Sequence, residues 1–168
     1  MDKYVISDKS VYLSDFYNGN LSSELKNYLV LNSLNFDSLK KNDDYEIISN
    51  DVFKKAYELL FSDSYESKSF DYNGNKIRYL DMMESYITTS LLTKDESLIE
   101  REIKDIKKDD DKIIITTIEG IIKDGKLYNI LNNNEIVDYQ NDSLLKYENS
   151  LNKVVYTFKD NKLINLTK

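Results

Sequence analysis

Residues 22–34 have the hydrophobic spacing of an amphipathic helix. Leu25, Tyr28 and Leu29 fall on one face, because positions three and four residues apart lie on the same side of a helix. Ser22 precedes this run and can cap it, since a serine hydroxyl accepts a hydrogen bond from a free amide of the first turn. The pattern predicts a first helix over 22–34.

A second helical pattern follows and is clearer. It begins at Ser49 or Asn50, either of which can cap, and Asp51 lies in the positively polarised first turn. Apolar side chains then repeat at the i, i+3 and i+4 positions of a helix: Val52, Phe53, Ala56, Leu59 and Leu60. We predict that this helix ends near Ser62 and Asp63.

The segment 67–80 has the alternation of a β-hairpin. Phe70 and Tyr72 come before a turn sequence, and Ile77 and Tyr79 come after it, with polar residues between them. The alternation predicts two short antiparallel strands. The segment 81–92 is ambiguous.

Beyond that ambiguous stretch, Thr93 with Glu96 three residues later is typical of a capping box. We predict a short helix from Thr93 that gives way to a strand near Arg101, because the β-branched residues that follow favour sheet. The C-terminal third is predicted to be sheet, with strands over 112–123, 126–130, 154–159 and 163–166. A short amphipathic helix over 143–149 is expected before the last hairpin.

Chain reversals must be made mainly by Asn, Asp and Ser, because the sequence has four glycines and no proline. Gly120 lies inside an apolar run, where a β-bulge or a close backbone approach is the usual reason for glycine. The polar runs 40–44 and 132–134 are predicted loops. The pairs that suit type I′ or similar tight turns are Asn18-Gly19, Asn73-Gly74, Asp124-Gly125 and Asp160-Asn161.

Helices that come first and antiparallel strands that follow predict an α+β fold, in which N-terminal helices pack on a curved antiparallel sheet. The cone-like fold of nuclear-transport-factor-like proteins is one architecture with this order. A chain of 168 residues is long enough for one domain with a hydrophobic core. We therefore predict a single α+β domain over 1–168, with helices mainly in 22–61 and sheet mainly in 67–80 and 101–167.

The chain has no cysteine and no histidine. The first absence excludes disulfides, thiolate nucleophiles and zinc–thiolate sites, and the second excludes Ser-His-Asp and Cys-His constellations. The sequence also has no GxGxxG or GxxxxGK[ST] phosphate-binding loop. We predict neither a cofactor nor a resident metal, and any catalysis would rest on carboxylates, Lys, Tyr, Ser or Thr.

The 30 acidic and 23 basic side chains give a formal net charge of −7, which repels a phosphate backbone. This charge argues against nucleic acid as the partner and leaves a protein partner as the expectation. No apolar run approaches about 18 residues, so the sequence as given predicts no membrane span and no signal peptide. Both a cytoplasmic location and, if an N-terminal anchor was removed, an extracytoplasmic one fit the sequence.

Two acidic patterns invite a chemical interpretation. Asp109-Asp110-Asp111 could hold calcium, but the alternating ligands, the glycine at the bend and the distant bidentate Glu of a calcium loop are missing. A solvated hairpin tip is therefore the prediction. Glu100 and Glu102 could work as an acid–base pair, although a chain with 30 acids contains such pairs by chance.

The 14 tyrosines are the most unusual feature of the composition. A phenol offers a flat apolar ring with a polar tip at small entropic cost, and tyrosine is therefore common in recognition surfaces. The candidate binding surface consists of five aromatic residues around the predicted hairpin: Tyr65, Phe70, Tyr72, Tyr79 and Tyr86. The alternative is that these rings pack in the core or reflect AT-rich codons.

Two stretches resemble a loose set of uncharacterised proteins of low-GC Gram-positive bacteria: DVFKKAYELLFSDSYESKSFDY (51–72) and YENSLNKVVYTFKDNKLINL (147–166). Those proteins are similar to small extracytoplasmic α+β domains behind a single N-terminal membrane anchor. The resemblance implies an anchored, outward-facing domain and carries over no functional residue. The sequence as given departs from that pattern because it shows no anchor.

Three functional hypotheses follow. The first is a non-enzymatic binding or assembly module that contacts a protein at a bacterial cell surface. The second is a small-ligand carrier or an enzyme with a pocket between sheet and helices, in which a buried carboxylate works with a Tyr hydroxyl. The third is a phage or mobile-element protein that blocks a host factor and uses its acidic charge to mimic nucleic acid.

Overall fold

The computed structural model describes most of the chain: Tyr4 and residues 21–36, 39–42, 45–72, 74–88 and 99–168. These residues contain two α-helices, two antiparallel sheets and short 3₁₀ helices, which confirms the predicted α+β class. There are two sheets where the order of elements suggested one curved sheet. The cone-like arrangement of nuclear-transport-factor-like proteins is not confirmed.

The chain divides into two compact units. Tyr4 and the described part of 22–94 belong to the first unit, and residues 99–168 belong to the second. The single domain over 1–168 stays a prediction. In the described part of the chain, neither helix has the length and apolar composition needed to cross a membrane.

The first unit contains two helices and a five-stranded antiparallel sheet. Helix α1 spans Ser23–Ser33 and helix α2 spans Asn50–Leu60. The strands lie in the order β1-β2-β5-β4-β3. Their bounds are β1 Lys40–Asn42, β2 Tyr45–Ser49, β3 Phe70–Tyr72, β4 Asn75–Leu80 and β5 Ser85–Thr88, with a 3₁₀ helix at Asp81–Met83.

Local sequence accounts for both helices and for the β3–β4 hairpin, as predicted. The Ser22 hydroxyl accepts a hydrogen bond from the Leu25 amide at 3.1 Å, which caps α1. Helix α2 ends at Leu60, slightly before the predicted end, because Phe61 adopts an extended conformation with φ −129° and ψ 157°. Its buried face consists of Phe53, Tyr57 and Leu60.

The loop predicted over 40–44 is wrong for Lys40–Asn42, which form the edge strand β1. All three of its side chains are exposed, so the strand has no apolar alternation by which it could be recognised. Backbone pairing with β2 creates it, and Lys41 lies opposite Glu46 in that pairing. The salt bridge between these two side chains measures 3.4 Å.

The second unit contains a six-stranded antiparallel sheet. Strand β7 pairs with β6 along one side, and with β10 and then β8 along the other, while β11 and β9 lie outside β10 and β8. A 3₁₀ helix, Leu144–Tyr147, lies inside the segment predicted to be helical. The strands are β6 Ile99–Asp109, β7 Lys112–Lys123, β8 Lys126–Tyr128, β9 Glu135–Asp138, β10 Asn152–Lys159 and β11 Lys162–Thr167.

Two predicted turns in this unit have positive φ at both central residues, as a type I′ turn requires. The angles are 52° at Asp124, 72° at Gly125, 50° at Asp160 and 62° at Asn161. The Asn18-Gly19 turn and the capping box of Thr93 and Glu96 lie outside the described residues.

The close approach predicted at Gly120 is confirmed. A Cβ at this position would lie 2.8 Å from Leu151 Cδ2, 2.9 Å from Leu127 Cδ1 and 3.2 Å from the carbonyl oxygen of Tyr128. Glycine is therefore needed so that the small core on this face of the sheet can close over β7. The buried members of that core are Ile118, Leu127, Leu144 and Leu151.

Candidate functional site

The five aromatic residues of the predicted binding surface divide by exposure. Phe70, Tyr72 and Tyr86 are buried, whereas Tyr65 and Tyr79 are partly exposed. Three of the five rings therefore lie in the core of the first unit, which matches the alternative of core packing. A binding role for the group stays a prediction, and of these five residues only the two partly exposed ones can offer their atoms to a partner.

Three of the other four residues lie around Tyr86. The ring centroids of Tyr79 and Phe70 lie 5.0 and 5.8 Å from that of Tyr86. The Tyr65 hydroxyl lies 2.5 Å from the Tyr86 hydroxyl. Phe53 of α2, which the sequence analysis did not include in this group, lies 4.7 Å from Tyr86 and completes the cluster.

Tyr72 packs in a different part of the same core. Its ring stacks on Tyr28 of α1 at 5.1 Å, and its hydroxyl donates to Asn32 Oδ1 at 3.4 Å. Phe36 meets the ring edge-on at 6.1 Å. Because Tyr72 is only 2% exposed, an alanine there would open the core and would not test a binding surface.

The hydroxyls of this cluster form a chain of hydrogen bonds to the start of α2. Tyr65 donates to Asn50 Oδ1 at 2.6 Å, so Tyr86 is the donor towards Tyr65. Ser67 also donates to Asn50, at 3.1 Å. Burial raises the pKa of Tyr86, with a further contribution from its hydrogen bond to Tyr65, and burial also raises the pKa of Tyr65. The Tyr65 and Tyr86 hydroxyls therefore stay protonated at neutral pH, and their hydrogen bonds hold the start of α2 against β5.

The described part of the first unit exposes large apolar side chains in two places, at Met82 and Met83 of the 3₁₀ helix and along α2. Val52, Ala56 and Leu59 follow one another at i, i+4 and i+7 spacing, and Val52 and Leu59 are 46% and 67% exposed. We call these three residues the α2 stripe. The helical spacing predicts one stripe that also contains Phe53 and Leu60, but the fold buries those two, leaves Val52 and Leu59 exposed and covers Ala56 in part.

The α2 stripe borders a groove of about 310 Å³ at the end of α1, which we call the α2 groove. Its lining consists of Ser33, Leu34, Val52, Lys55, Ala56, Leu59 and Leu60. Lys55 has no ion-pair partner among the residues that the structure describes, whereas Lys54 lies 3.9 Å from Glu58 on the same helix. The groove therefore combines apolar walls with one lysine that no described acid pairs.

The second unit contains a buried carboxylate that the sequence analysis did not single out. Glu119 is fully buried, and its Oε1 accepts hydrogen bonds from Thr117 at 2.8 Å and Tyr156 at 2.9 Å. The Nε of Arg101 lies 3.4 Å from the same oxygen. Within the described ranges, Oε2 of Glu119 has no hydrogen-bond partner.

Strand register brings these four side chains together. Thr117 and Glu119 lie on one face of β7 because strand side chains alternate, and Arg101 lies directly opposite Glu119 on β6. One sequence signal was present: Glu119 is the only charged residue in the apolar run 113–122. A lone acid in such a run is a candidate for a buried, paired carboxylate.

The acidic patterns noted in the sequence have structural partners. Asp111 lies at the tip of the β6–β7 hairpin, as predicted, and pairs with Lys159 at 2.5 Å. Glu102 accepts hydrogen bonds from the Ser143 hydroxyl and the Leu144 amide, so it caps the second unit's 3₁₀ helix. No group of three Asp or Glu side chains that could hold a metal occurs in the part of the chain that the structure covers.

A second groove, also of about 310 Å³, lies between the tips of the β6–β7 and β10–β11 hairpins. It mixes acidic, basic and apolar side chains: Lys108, Asp110, Asp111, Lys112, Ile113, Phe158, Asp160 and Asn161. Its charges compensate one another locally, as the Asp111–Lys159 pair at its margin shows. We therefore give it less weight than the α2 groove.

Comparisons with known proteins gave no match. This holds for models of protein families, for curated proteins and for solved structures. The resemblance to extracytoplasmic proteins of low-GC Gram-positive bacteria therefore stays a prediction.

Proposed function

We propose that this protein is a non-enzymatic binding or assembly module that contacts a protein partner through the α2 stripe and the α2 groove. The observation that carries the proposal is the exposure of Val52 and Leu59 beside an apolar groove, on a helix whose other face is already buried. Contiguous exposed apolar surface of this kind marks interaction sites. A cell-surface setting for the partner rests on the resemblance alone.

Burial in the complex supplies the driving force. Each Å² of apolar surface that a partner covers contributes about 25 cal/mol, so covering the exposed 67% of Leu59 is worth about 1 to 2 kcal/mol. Lys55 adds orientation, because a carboxylate placed against this lysine is favoured over a cation. The α2 stripe and the α2 groove, together called the α2 surface, thus take the binding role predicted from the sequence for the aromatic group.

A peptide-display library selected on the purified protein tests this proposal. Affinities of the selected peptides, measured by fluorescence anisotropy, are expected to fall at least about tenfold in Leu59→Asp. The matched control is Leu131→Asp, which changes a leucine of the second unit that is 48% exposed. If every selected peptide binds Leu59→Asp and wild type equally, the α2 surface is not the binding site.

A second candidate function, a small-ligand carrier or carboxylate-based enzyme, is favoured by one observation. Glu119 has a buried oxygen, Oε2, with no hydrogen-bond partner among the described residues, and its other oxygen accepts a hydrogen bond from Tyr156, which is the pairing of groups that proton transfer needs. Neither of the two grooves described above is lined by Glu119. For this reason it ranks second.

A thermal-shift screen of small molecules tests this second function. A true ligand of Glu119 should raise the melting temperature of wild type and leave Glu119→Gln unshifted. Glu102→Gln serves as the control, because Glu102 lies in the same unit but caps a 3₁₀ helix. Equal shifts in wild type and Glu119→Gln would remove this candidate.

A further inference from the structure

We infer that the occupant of the α2 surface is a second copy of this chain, with two α2 helices packed antiparallel about a two-fold axis at Ala56. The inference rests on the proposed function and names its partner. A two-fold interface requires a surface that is complementary to itself. The α2 stripe meets this requirement in the sizes of its side chains and in the charges beside it.

The sizes of the stripe side chains are ordered symmetrically about Ala56. Val52 precedes Ala56 by four residues and Leu59 follows it by three, which corresponds to about 6 Å and about 4.5 Å along the helix. An antiparallel pair centred on Ala56 therefore sets Val52 of one copy against Leu59 of the other, twice. The small alanine at the centre lets the two helix axes approach to about 8 to 10 Å.

The charges beside the stripe are also complementary under the same rotation. At 3.6 residues per turn, Lys55 and Glu58 both lie on the side of the stripe that faces away from the buried face of α2. After the two-fold rotation, this side of the stripe lies on the same side of the interface in both copies. Lys55 of each copy therefore comes near Glu58 of the other copy. Lys55 has no ion-pair partner among the described residues. Glu58 is 55% exposed and lies 3.9 Å from Lys54 on its own helix, and an exposed pair of this kind contributes so little that Glu58 can exchange it for Lys55 of the second copy.

A helix of a different protein with an acidic residue opposite Lys55 would pair with the lysine but not with Glu58. It would leave Glu58 with only its exposed contact to Lys54. The second copy accounts for both charges and for the central alanine. Because the contact is formed by a few side chains per copy, we expect a weak dimer, with a dissociation constant in the micromolar to millimolar range.

Sedimentation velocity of the full chain over a concentration series tests the inference. Wild type is expected to show a monomer–dimer equilibrium, and Leu59→Asp is expected to be monomeric throughout. Lys55→Glu and Glu58→Lys should each weaken the dimer at least about fivefold, because each places like charges together twice. An equimolar mixture of these two charge variants should regain dimer, since the mixed pair restores both opposite-charge contacts.

Leu131→Asp and Lys76→Glu are the controls, and both should dimerise as wild type does. Circular dichroism of each variant shows whether its fold is intact, and the mixing experiment cannot be explained by misfolding. Wild type that stays monomeric, while selected peptides still depend on Leu59, would overturn the inference and leave the proposed function standing. A dimer that is indifferent to Leu59→Asp and to mixing would also overturn it. If neither peptides nor dimer depend on Leu59, both proposals fail.

Discussion

The phenol of Tyr156 on β10 donates a 2.9 Å hydrogen bond to Oε1 of Glu119 on β7, inside the buried face of the second sheet. This oxygen also accepts a hydrogen bond from Thr117, while Arg101 approaches it from β6. A buried carboxylate is tolerated only when donors or a countercharge replace the water it has lost. The stability of the second unit should therefore depend on these donors.

Tyr156→Phe should lower the free energy of unfolding by about 1 kcal/mol, because it removes one hydrogen bond to an acceptor that keeps other donors. Glu119→Ala should cost about 3 kcal/mol, since it leaves the donors without an acceptor and opens a void. Urea denaturation followed by circular dichroism measures both. Tyr147→Phe is the control and should cost under about 0.5 kcal/mol. A cost for Tyr156→Phe no larger than that of the control would contradict this account.

Gly120→Ala should destabilise the second unit by about 1 to 3 kcal/mol, because the new methyl would meet Leu151 and Leu127 at under 3 Å. Adding Leu151→Ala should recover part of that loss, so the double variant should be more stable than the sum of the single effects predicts. Gly125→Asn is the control, since its position is open and asparagine tolerates positive φ. Strict additivity of the two alanine substitutions would show that Leu151 is not the obstacle.

The first unit should lose stability at alkaline pH. Burial raises the pKa of Tyr86 and of Tyr65 above the ordinary value of 10.0. A group whose pKa is raised by folding contributes stability that is complete below the unfolded pKa and is lost as the pH rises towards the folded pKa. The loss should therefore begin above about pH 10.

Urea midpoints measured between about pH 8 and pH 11 test this dependence. Tyr86→Phe should flatten the alkaline loss, while Tyr128→Phe in the second unit should leave it unchanged. The Tyr86 variant should also lower stability at neutral pH, because the hydrogen bond to Tyr65 is gone. An unaltered alkaline slope in Tyr86→Phe would show that this phenol is not responsible.

A smaller dependence is expected at acid pH from Asp63. Burial by itself would raise the pKa of this carboxyl, but the hydrogen bond and charge of Lys26, at 2.5 Å, and a hydrogen bond from Tyr57 outweigh it, so the pKa is lowered. The stabilisation is therefore present above the ordinary value of 3.8 and is lost as the pH falls through the folded pKa. At neutral pH it is worth under about 1 kcal/mol, because Asp63 is half exposed.

Asp63→Asn should reduce the loss of stability below about pH 4 and should cost little at neutral pH. Thermal unfolding at pH values on both sides of this range gives the measurement. Asp71→Asn changes an exposed acid on β3 and serves as the control. Parallel pH profiles for wild type and Asp63→Asn would refute the role assigned to the Lys26 pair.

Much of the secondary structure could be predicted because its signals are local. The Ser22 cap, the apolar spacing of α2 and the Asp160-Asn161 turn each depend on residues within a few positions of one another. The β3–β4 hairpin and β10 follow from the same short-range alternation. Strands β1 and β9 could not be predicted in this way, because each is short and is defined by the neighbour to which its backbone pairs.

The candidate sites were harder to predict, for a related reason. A periodic pattern says which side chains share a face, but it does not say whether another element covers that face. Val52 and Phe53 are adjacent and both apolar, yet the first is 46% exposed and the second is fully buried. For the same reason, Tyr72 and Tyr86 were predicted to lie at a binding surface but are core residues.

The sequence by itself determined the α+β class, both helices, most of the turns and the absence of thiol and imidazole chemistry, since composition and near-neighbour preferences suffice for these. Only the tertiary structure decided the division into two sheets, the burial of Glu119 among its donors and the exposure of the α2 stripe. Each of these depends on contacts between residues far apart in the chain, and desolvation is a property of the surroundings rather than of the side chain alone.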